Sequence, residues 1–197
     1  PCARAEDNPL LGQSAIKEYP PSELSQWQYV LTAHPIQTAK YRSAKTDHWE
    51  EMIRSVAAEP PLRQMLKVNQ WFEQFAYKLD RTVYKKDDYW ATPLEFIELG
   101  GDCEDYAIAK YMTLRRLGFP ASSMKVAMVY DTDTYSDHAF LVVNYNDAEY
   151  ILDNREKLVV SGFMKNRYKP HFAFNENHVW TYDSPLINQA LRQYGSN

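Results

Sequence analysis

Apolar residues recur at helical spacing from about residue 22 to residue 118, interrupted at 80–91, and at strand spacing after that. The stretch SELSQWQYVL, residues 22–31, predicts a short helix. In TDHWEEMIRSVAAEPP, residues 46–61, Trp49, Ile53 and Val56 share one helical face, and Pro60 and Pro61 stop the run. A third helix starts at that stop and is expected to reach about Leu79. Its stripe is Leu62, Met65, Leu66, Phe72, Phe75, Ala76 and Leu79. Asn69 falls on this stripe, where a polar group needs a partner. An oxyanion donor is one reading of it, and an amide bonded to local backbone is the commoner one. Residues 80–91 are polar and aromatic without period and read as a loop.

Next comes TPLE, with Thr92 as N-cap, Pro93 at the first helical position and Glu95 three residues past the cap, a capping box. That helix ends at Gly100–Gly101. Another begins at once, with Asp102 as N-cap and Cys103 in the first turn. Ala107, Ile108, Tyr111, Leu114 and Leu117 form its stripe, and Gly118 ends it.

Beyond Pro120 the period becomes two. MKVAMVY (124–130), HAFLVVNY (138–145) and EYILDN (149–154) read as strands, with a tight turn at Asn146–Asp147. KLVVS (157–161), PHFAF (170–174) and HVWTY (178–182) follow, and Pro185 opens a closing helix to about Tyr194. Residues 1–21 are polar and proline-bearing and read as a loose arm ahead of a single domain, 22–197. Helices first and an antiparallel run second predict an α+β fold.

Composition narrows the function. A chain of 197 residues with 45% apolar content has enough material for one cored domain. A net charge of −4 offers no electrostatic footprint for nucleic acid or anionic lipid. No apolar run approaches the ~20 residues that span a bilayer. Two cysteines make no disulfide framework, and nothing orders Cys2 toward Cys103.

Cys103 stands in GGDCED at an expected helix N-terminus, where unpaired N–H groups and a partial positive charge favour a nucleophilic thiol. The surroundings are too polar for an inert buried cysteine. His138 opens a strand after the loop DTDTYSD, whereas His34, His48, His171 and His178 read as surface loop residues. A two-residue turn at Asn146–Asp147 sets Tyr145 opposite Ala148 and Phe140 opposite Asp153. His138 then shares a face with Asp153 on the diagonal, at roughly 7–8 Å between backbone positions. A loop with an odd residue count would break this pairing. The residues themselves thus offer Cys103, His138 and Asp153 as nucleophile, base and orienter.

Three acids, Asp102, Glu104 and Asp105, crowd the same helix start. They complement the helix dipole, yet they also oppose a thiolate. A hard divalent cation with oxygen ligands would neutralise them, and calcium accepts such clusters. Asp131, Asp133 and Asp137 either add ligands or are ordinary loop acids. Zinc is disfavoured, since no second Cys or His stands at ligand spacing.

The run WATPLEFIELGGDCEDYAIAKY, residues 90–111, resembles the bacterial transglutaminase-like cysteine proteinases, whose LapG-type members are periplasmic proteases. The likeness extends back to VNQWFEQFAYKLD and forward through DHAFLVV to ILDN. It implies a papain-like, transglutaminase-type core with the catalytic helix packed on an antiparallel sheet. It implies Cys103 as nucleophile, His138 as base and later acid, and Asp153 as orienter, with calcium held by Asp102 and Glu104 and by Asp105. It further implies cleavage near the N-terminus of a large secreted surface adhesin. Control would come from an inner-membrane receptor that responds to cyclic di-GMP and sequesters the protease, preserving biofilm attachment. The location implied is the periplasm, with the leader already removed. One departure is Asp-His-Ala at the histidine, where the family often has Ala-His-Met, so Asp137 bears on the base or the metal site. Two other readings stay open at this point: a non-catalytic binding module of the same fold, and a transamidase or amidase using the same three residues.

Overall fold

The computed structural model describes residues 9–157, 159–160 and 166–182. The expected closing helix and Cys2 lie outside the described residues. Among the described residues six α-helices precede the main sheet strands: α1 (Ser25–Lys40), α2 (Ala44–Val56), α3 (Pro61–Phe72), the short α4 (Asp80–Val83), α5 (Pro93–Leu99) and α6 (Cys103–Arg116). The strands are β1 (Lys17–Tyr19), β2 (Met124–Asp131), β3 (Ser136–Tyr145), β4 (Ala148–Leu152), β5 (Val159–Val160), β6 (Tyr168–Phe174) and β7 (Val179–Thr181). Among the described residues they form one seven-stranded sheet, ordered β1-β7-β6-β2-β3-β4-β5, with every neighbouring pair antiparallel. This is the expected α+β, transglutaminase-type arrangement.

Helix α6 is the axis of the core. It is buried from Glu104 through Leu114 and packs on β2 and β3 as well as on α3 and α5. The larger apolar cluster joins the helices to one sheet face through Val126, Met128, Ala139, Leu141, Val143 and Leu152. A smaller cluster covers the other face and contains Phe140, Val142, Ile151 and Tyr168. Leu10 and Leu11 belong to it, and β1 pairs with β7. Thus much of the stretch that reads as a loose arm is tied down. Two leucines and a three-residue edge strand achieve this, too little pattern to be read from a polar sequence.

Other boundaries differ for local reasons. Helix α1 runs well past the expected end at Leu31, straight through Pro35. A proline there removes one intrahelical bond. The far half of the helix is held instead by Gln37, which donates to Glu95 Oε1 at 3.1 Å and accepts from the Thr92 hydroxyl at 2.5 Å. Helix α3 stops at Phe72, short of Leu79, because the chain turns to lie beside Gly101: Lys78 N–H donates to Gly101 O at 2.8 Å. Within the expected loop after it, α4 forms and buries Asp80.

The β3–β4 hairpin has the expected register: Tyr145 opposes Ala148 and Leu141 opposes Leu152. Its two turn residues, Asn146 and Asp147, have φ of 49° and 60°. A type I′ turn requires positive φ at both, and these residue types tolerate it. Asp153 follows β4 directly.

Candidate active site

The Thr92 capping box is present: Glu95 N–H donates to Thr92 Oγ1, and Thr92 N–H donates to Glu95 Oε2 at 2.8 Å. It starts α5, whose C-cap is Gly100 with φ of +82°. A Cβ on Gly100 would stand 2.8 Å from the Ala76 carbonyl oxygen, and one on Gly101 would stand 2.0 Å from Asp105 Oδ2. The glycine pair therefore lets two backbone segments and a carboxylate close together just ahead of Cys103. Asp105 fills the space: Oδ1 accepts Ala91 N–H at 2.7 Å and Oδ2 accepts Asp102 N–H at 3.2 Å.

Cys103, half-buried and free, opens α6. Its thiol donates to Glu104 Oε2 at 3.3 Å. Burial pushes the thiol pKa well above its ordinary value, and the charges of Glu104 and Asp102 and the Glu104 hydrogen bond push it further; the Ala139 N–H acts the other way. Ala139 is the residue after His138, so the first part of β3 lies against the Cys103 end of α6.

His138 is buried, with Nε2 2.8 Å from Asp153 Oδ1. An ionised carboxylate only accepts, so Nε2 carries the proton and Nδ1 carries the basic lone pair. Nδ1 is buried and finds no hydrogen-bond partner among the described residues. Burial raises the Asp153 pKa, but the His138 hydrogen bond and charge, the Arg155 N–H and the charge of Lys110 outweigh it. The carboxyl ends below its ordinary range. Asp153 and His138 are therefore brought together as the hairpin register requires.

The acids separate into two sets. Asp102 and Glu104 meet two residues that sequence reasoning missed, Asp80 and Asp88. Ligand atoms of Asp80, Asp88 and Glu104 lie within 4.8 Å of one another, as do those of Asp80, Asp102 and Asp105. Asp80 uses one oxygen to accept Tyr89 N–H at 2.6 Å. Its Oδ1 and the Oδ1 of Asp102 are buried and unpartnered among the described residues. Burial and then the Asp102 charge raise the Asp80 pKa to about 7. Burial also raises Asp102, Asp88 and Glu104. Oxygen-only donors, packed until their charges repel, with two oxygens lacking donors, fit a hard divalent cation. Asp105 is in the cluster too, but both its oxygens are already engaged by backbone. The only sequence sign of Asp88 is the charge run KKDD, which looks the same as a solvated loop.

Asp131, Asp133 and Asp137, candidates for further ligands, are in neither group. Asp131 is fully buried between Arg155 (3.3 Å) and Arg167 (3.0 Å). Asp133 meets Arg167 at 3.5 Å, and Asp137 meets His171 at 3.2 Å. His171 is a buried strand residue instead of the expected surface one, and His34 is a helix residue whose pKa burial lowers to about 4. Asn69 takes neither reading as expected: Nδ2 donates to backbone, but to the distant Glu156 O at 3.2 Å and not to a local carbonyl.

Three comparisons bear on this geometry. The family model for the bacterial transglutaminase-like cysteine proteinases matches residues 29–181. Among solved structures, LapG of Legionella pneumophila is 29% identical. The match covers 83% of this chain and 96% of that one, with a TM-score of 0.64. Its calcium-bound form is matched equally, at 29% identity over 83% of this chain and 97% of that one, TM-score 0.64. The EGTA-treated form is 30% identical over 78% of this chain and 86% of that one, TM-score 0.64. Comparison with curated protein sequences gave no significant match. With a family model spanning most of its length and a shared fold behind it, this chain belongs to the bacterial transglutaminase-like cysteine proteinases.

Proposed function

We propose that this chain is a calcium-dependent periplasmic cysteine endopeptidase in which Cys103 is the nucleophile, His138 the general base and later acid, and Asp153 the orienter. The observation that carries this reading is the state of His138. Asp153 holds Nε2 at 2.8 Å, while Nδ1 is buried without a partner among the described residues, one residue before Ala139, whose N–H favours the Cys103 thiolate.

From that arrangement the chemistry follows. His138 Nδ1 takes the thiol proton, and Cys103 Sγ adds to the peptide carbonyl carbon. The tetrahedral oxyanion is met by unpaired N–H groups at the start of α6. As the C–N bond breaks, the imidazolium passes its proton to the departing amine and a thioester remains. His138 then deprotonates water, which attacks the thioester, and the sulfur leaves to recover the proton.

Asp80, Asp88, Asp102 and Glu104 would hold the calcium, with Asp105 bracing the loop and helix start around them. When bound, the cation neutralises the carboxylates that otherwise suppress the thiolate. The likeness to the calcium-bound and EGTA-treated LapG structures supports this part. The substrate in this reading is the N-terminal region of a large secreted adhesin. The inhibitory partner is the periplasmic part of an inner-membrane cyclic di-GMP receptor, so that cleavage governs biofilm release. Both rest on the LapG-type resemblance. No helix among the described residues is long and apolar enough to cross a membrane.

Incubation of the purified protein with an adhesin N-terminal fragment, with calcium or with EGTA, tests the reading. Cleavage should require calcium and vanish in Cys103→Ala at unchanged melting temperature. Full cleavage by Cys103→Ala would remove the nucleophile assignment, and full cleavage by chelated, metal-free protein would remove the calcium assignment.

A further inference from the structure

Asp153 has two carboxylate oxygens, and His138 engages only one. Oδ1 accepts from His138 at 2.8 Å and from Arg155 N–H at 3.1 Å. Oδ2 accepts from the Tyr168 hydroxyl at 3.3 Å. Tyr168 is fully buried at the start of β6, two strands away from β3 in the sheet, and its ring lies 6.1 Å from the His138 ring and 4.9 Å from Phe140. A carboxylate anchored at one oxygen can still rotate about its last bond; anchored at both, it cannot.

The two donors are themselves tied to one group. Arg155 and Arg167 both reach the buried carboxylate of Asp131, at 3.3 and 3.0 Å. Arg155 supplies the backbone N–H on Asp153. Arg167 precedes Tyr168, and its guanidinium sits 5.0 Å over that ring. Asp131, at the end of β2, therefore holds both segments that approach Asp153, and Arg167 also reaches Glu156 at 3.4 Å. A buried carboxylate with two arginines on it is costly to assemble and strongly destabilising to break. Here it ties down the surroundings of Asp153, and it also accepts Asp133 N–H in the loop that follows β2.

We infer that Tyr168 is a positioning residue for the His138–Asp153 pair, donating to the second oxygen of Asp153, and that Asp131, through Arg155 and Arg167, fixes the segments that present both donors. The inference rests on the proposed roles of His138 and Asp153. Without the phenol, Asp153 turns more freely and presents a more basic oxygen to His138, so the imidazole becomes harder to deprotonate.

The experiment compares Tyr168→Phe, Asp131→Asn and Asp153→Asn on a peptide from the adhesin fragment, at saturating calcium, across pH 5.5–8.5. Tyr168→Phe keeps the ring and its packing. It should lower kcat about tenfold with KM unchanged and move the acid limb of kcat/KM upward. Asp131→Asn should move the same limb in the same direction. A Tyr168→Phe enzyme with wild-type kcat and profile overturns the inference while Asp153→Asn, if inactive, leaves the orienter assignment standing. Loss of activity that only follows loss of melting temperature, with the acid limb unmoved, also overturns it, because a packing role alone predicts that result. Wild-type activity in Asp153→Asn overturns the orienter assignment and the inference together.

Discussion

Lys110 lies in the middle of α6 with no exposed surface, and its Nζ finds no hydrogen-bond acceptor among the described residues. The Tyr106 ring, 5.7 Å away, is one neighbour, and the charges of Asp153 and Glu73 favour the ammonium. Burial outweighs them and lowers the pKa from 10.5 to about 7. The folded value is below the unfolded one. Between those two pH values the unfolded chain keeps a proton that the folded chain has released. Stability from this group therefore rises with pH across the window and is lowest below pH 7, where the native state must bury the charge. At ~1.4 kcal/mol per pH unit the gap costs about 5 kcal/mol below pH 7 and about 2 kcal/mol at pH 9. Methionine has similar length and no charge. Lys110→Met should therefore be more stable than the parent by about 4 kcal/mol at pH 7 and about 2 kcal/mol at pH 9. Urea unfolding at fixed calcium measures this. With a slope of about 2 kcal/mol per molar, the gain in midpoint should shrink by about 1 M between the two pH values. A gain that does not change with pH, or a loss of stability, would refute the reasoning, since either means that Lys110 holds its charge in a favourable pairing.

Two further outcomes follow from the site. Asp88→Asn should weaken calcium binding by roughly tenfold or more in calorimetric titration, and parental affinity should fall from pH 7.5 to pH 5.5 as Asp80, with its pKa near 7, retains its proton; unaltered affinity in the variant would exclude Asp88 from the ligand set. Gly101→Ala should cost at least ~3 kcal/mol in denaturant unfolding, because the new methyl and the Asp105 carboxylate claim the same space; a near-neutral result would mean that Asp105 can leave its backbone partners cheaply.

What could be read from the sequence was local. The Thr92 box, the glycine break and the start of α6 lie within about a dozen residues, and each is a short-range rule of capping or backbone freedom. The His138–Asp153 contact was readable because a hairpin makes a contact fifteen positions apart into a question of turn length. Asp80 and Asp88 were not readable. They reach Glu104 from a segment without period, and only the tertiary approach of that segment to the start of α6 says which of many acids meet. Asp131 shows the opposite error. It borders an acid-rich loop that looks like a ligand source, yet two arginines more than twenty residues away claim it. The same long-range pairing hid Tyr168, an aromatic residue in a strand with nothing local to mark its hydroxyl.

The hairpin turn carries a consequence for how this chain can vary. Loop tips are where insertions are ordinarily tolerated. Asn146–Asp147 is such a tip, roughly 24 Å along β3 from His138. Yet one residue added or removed there would reverse the parity of β4 and carry Asp153 to the opposite side of the sheet, exchanging it with Leu152. Two residues at a time could be accommodated by sliding the pair; a single one could not. A solvent-facing turn of two residues thus acts as a counting device for a buried pair it never touches, and its length is under a constraint that neither its exposure nor its composition reveals.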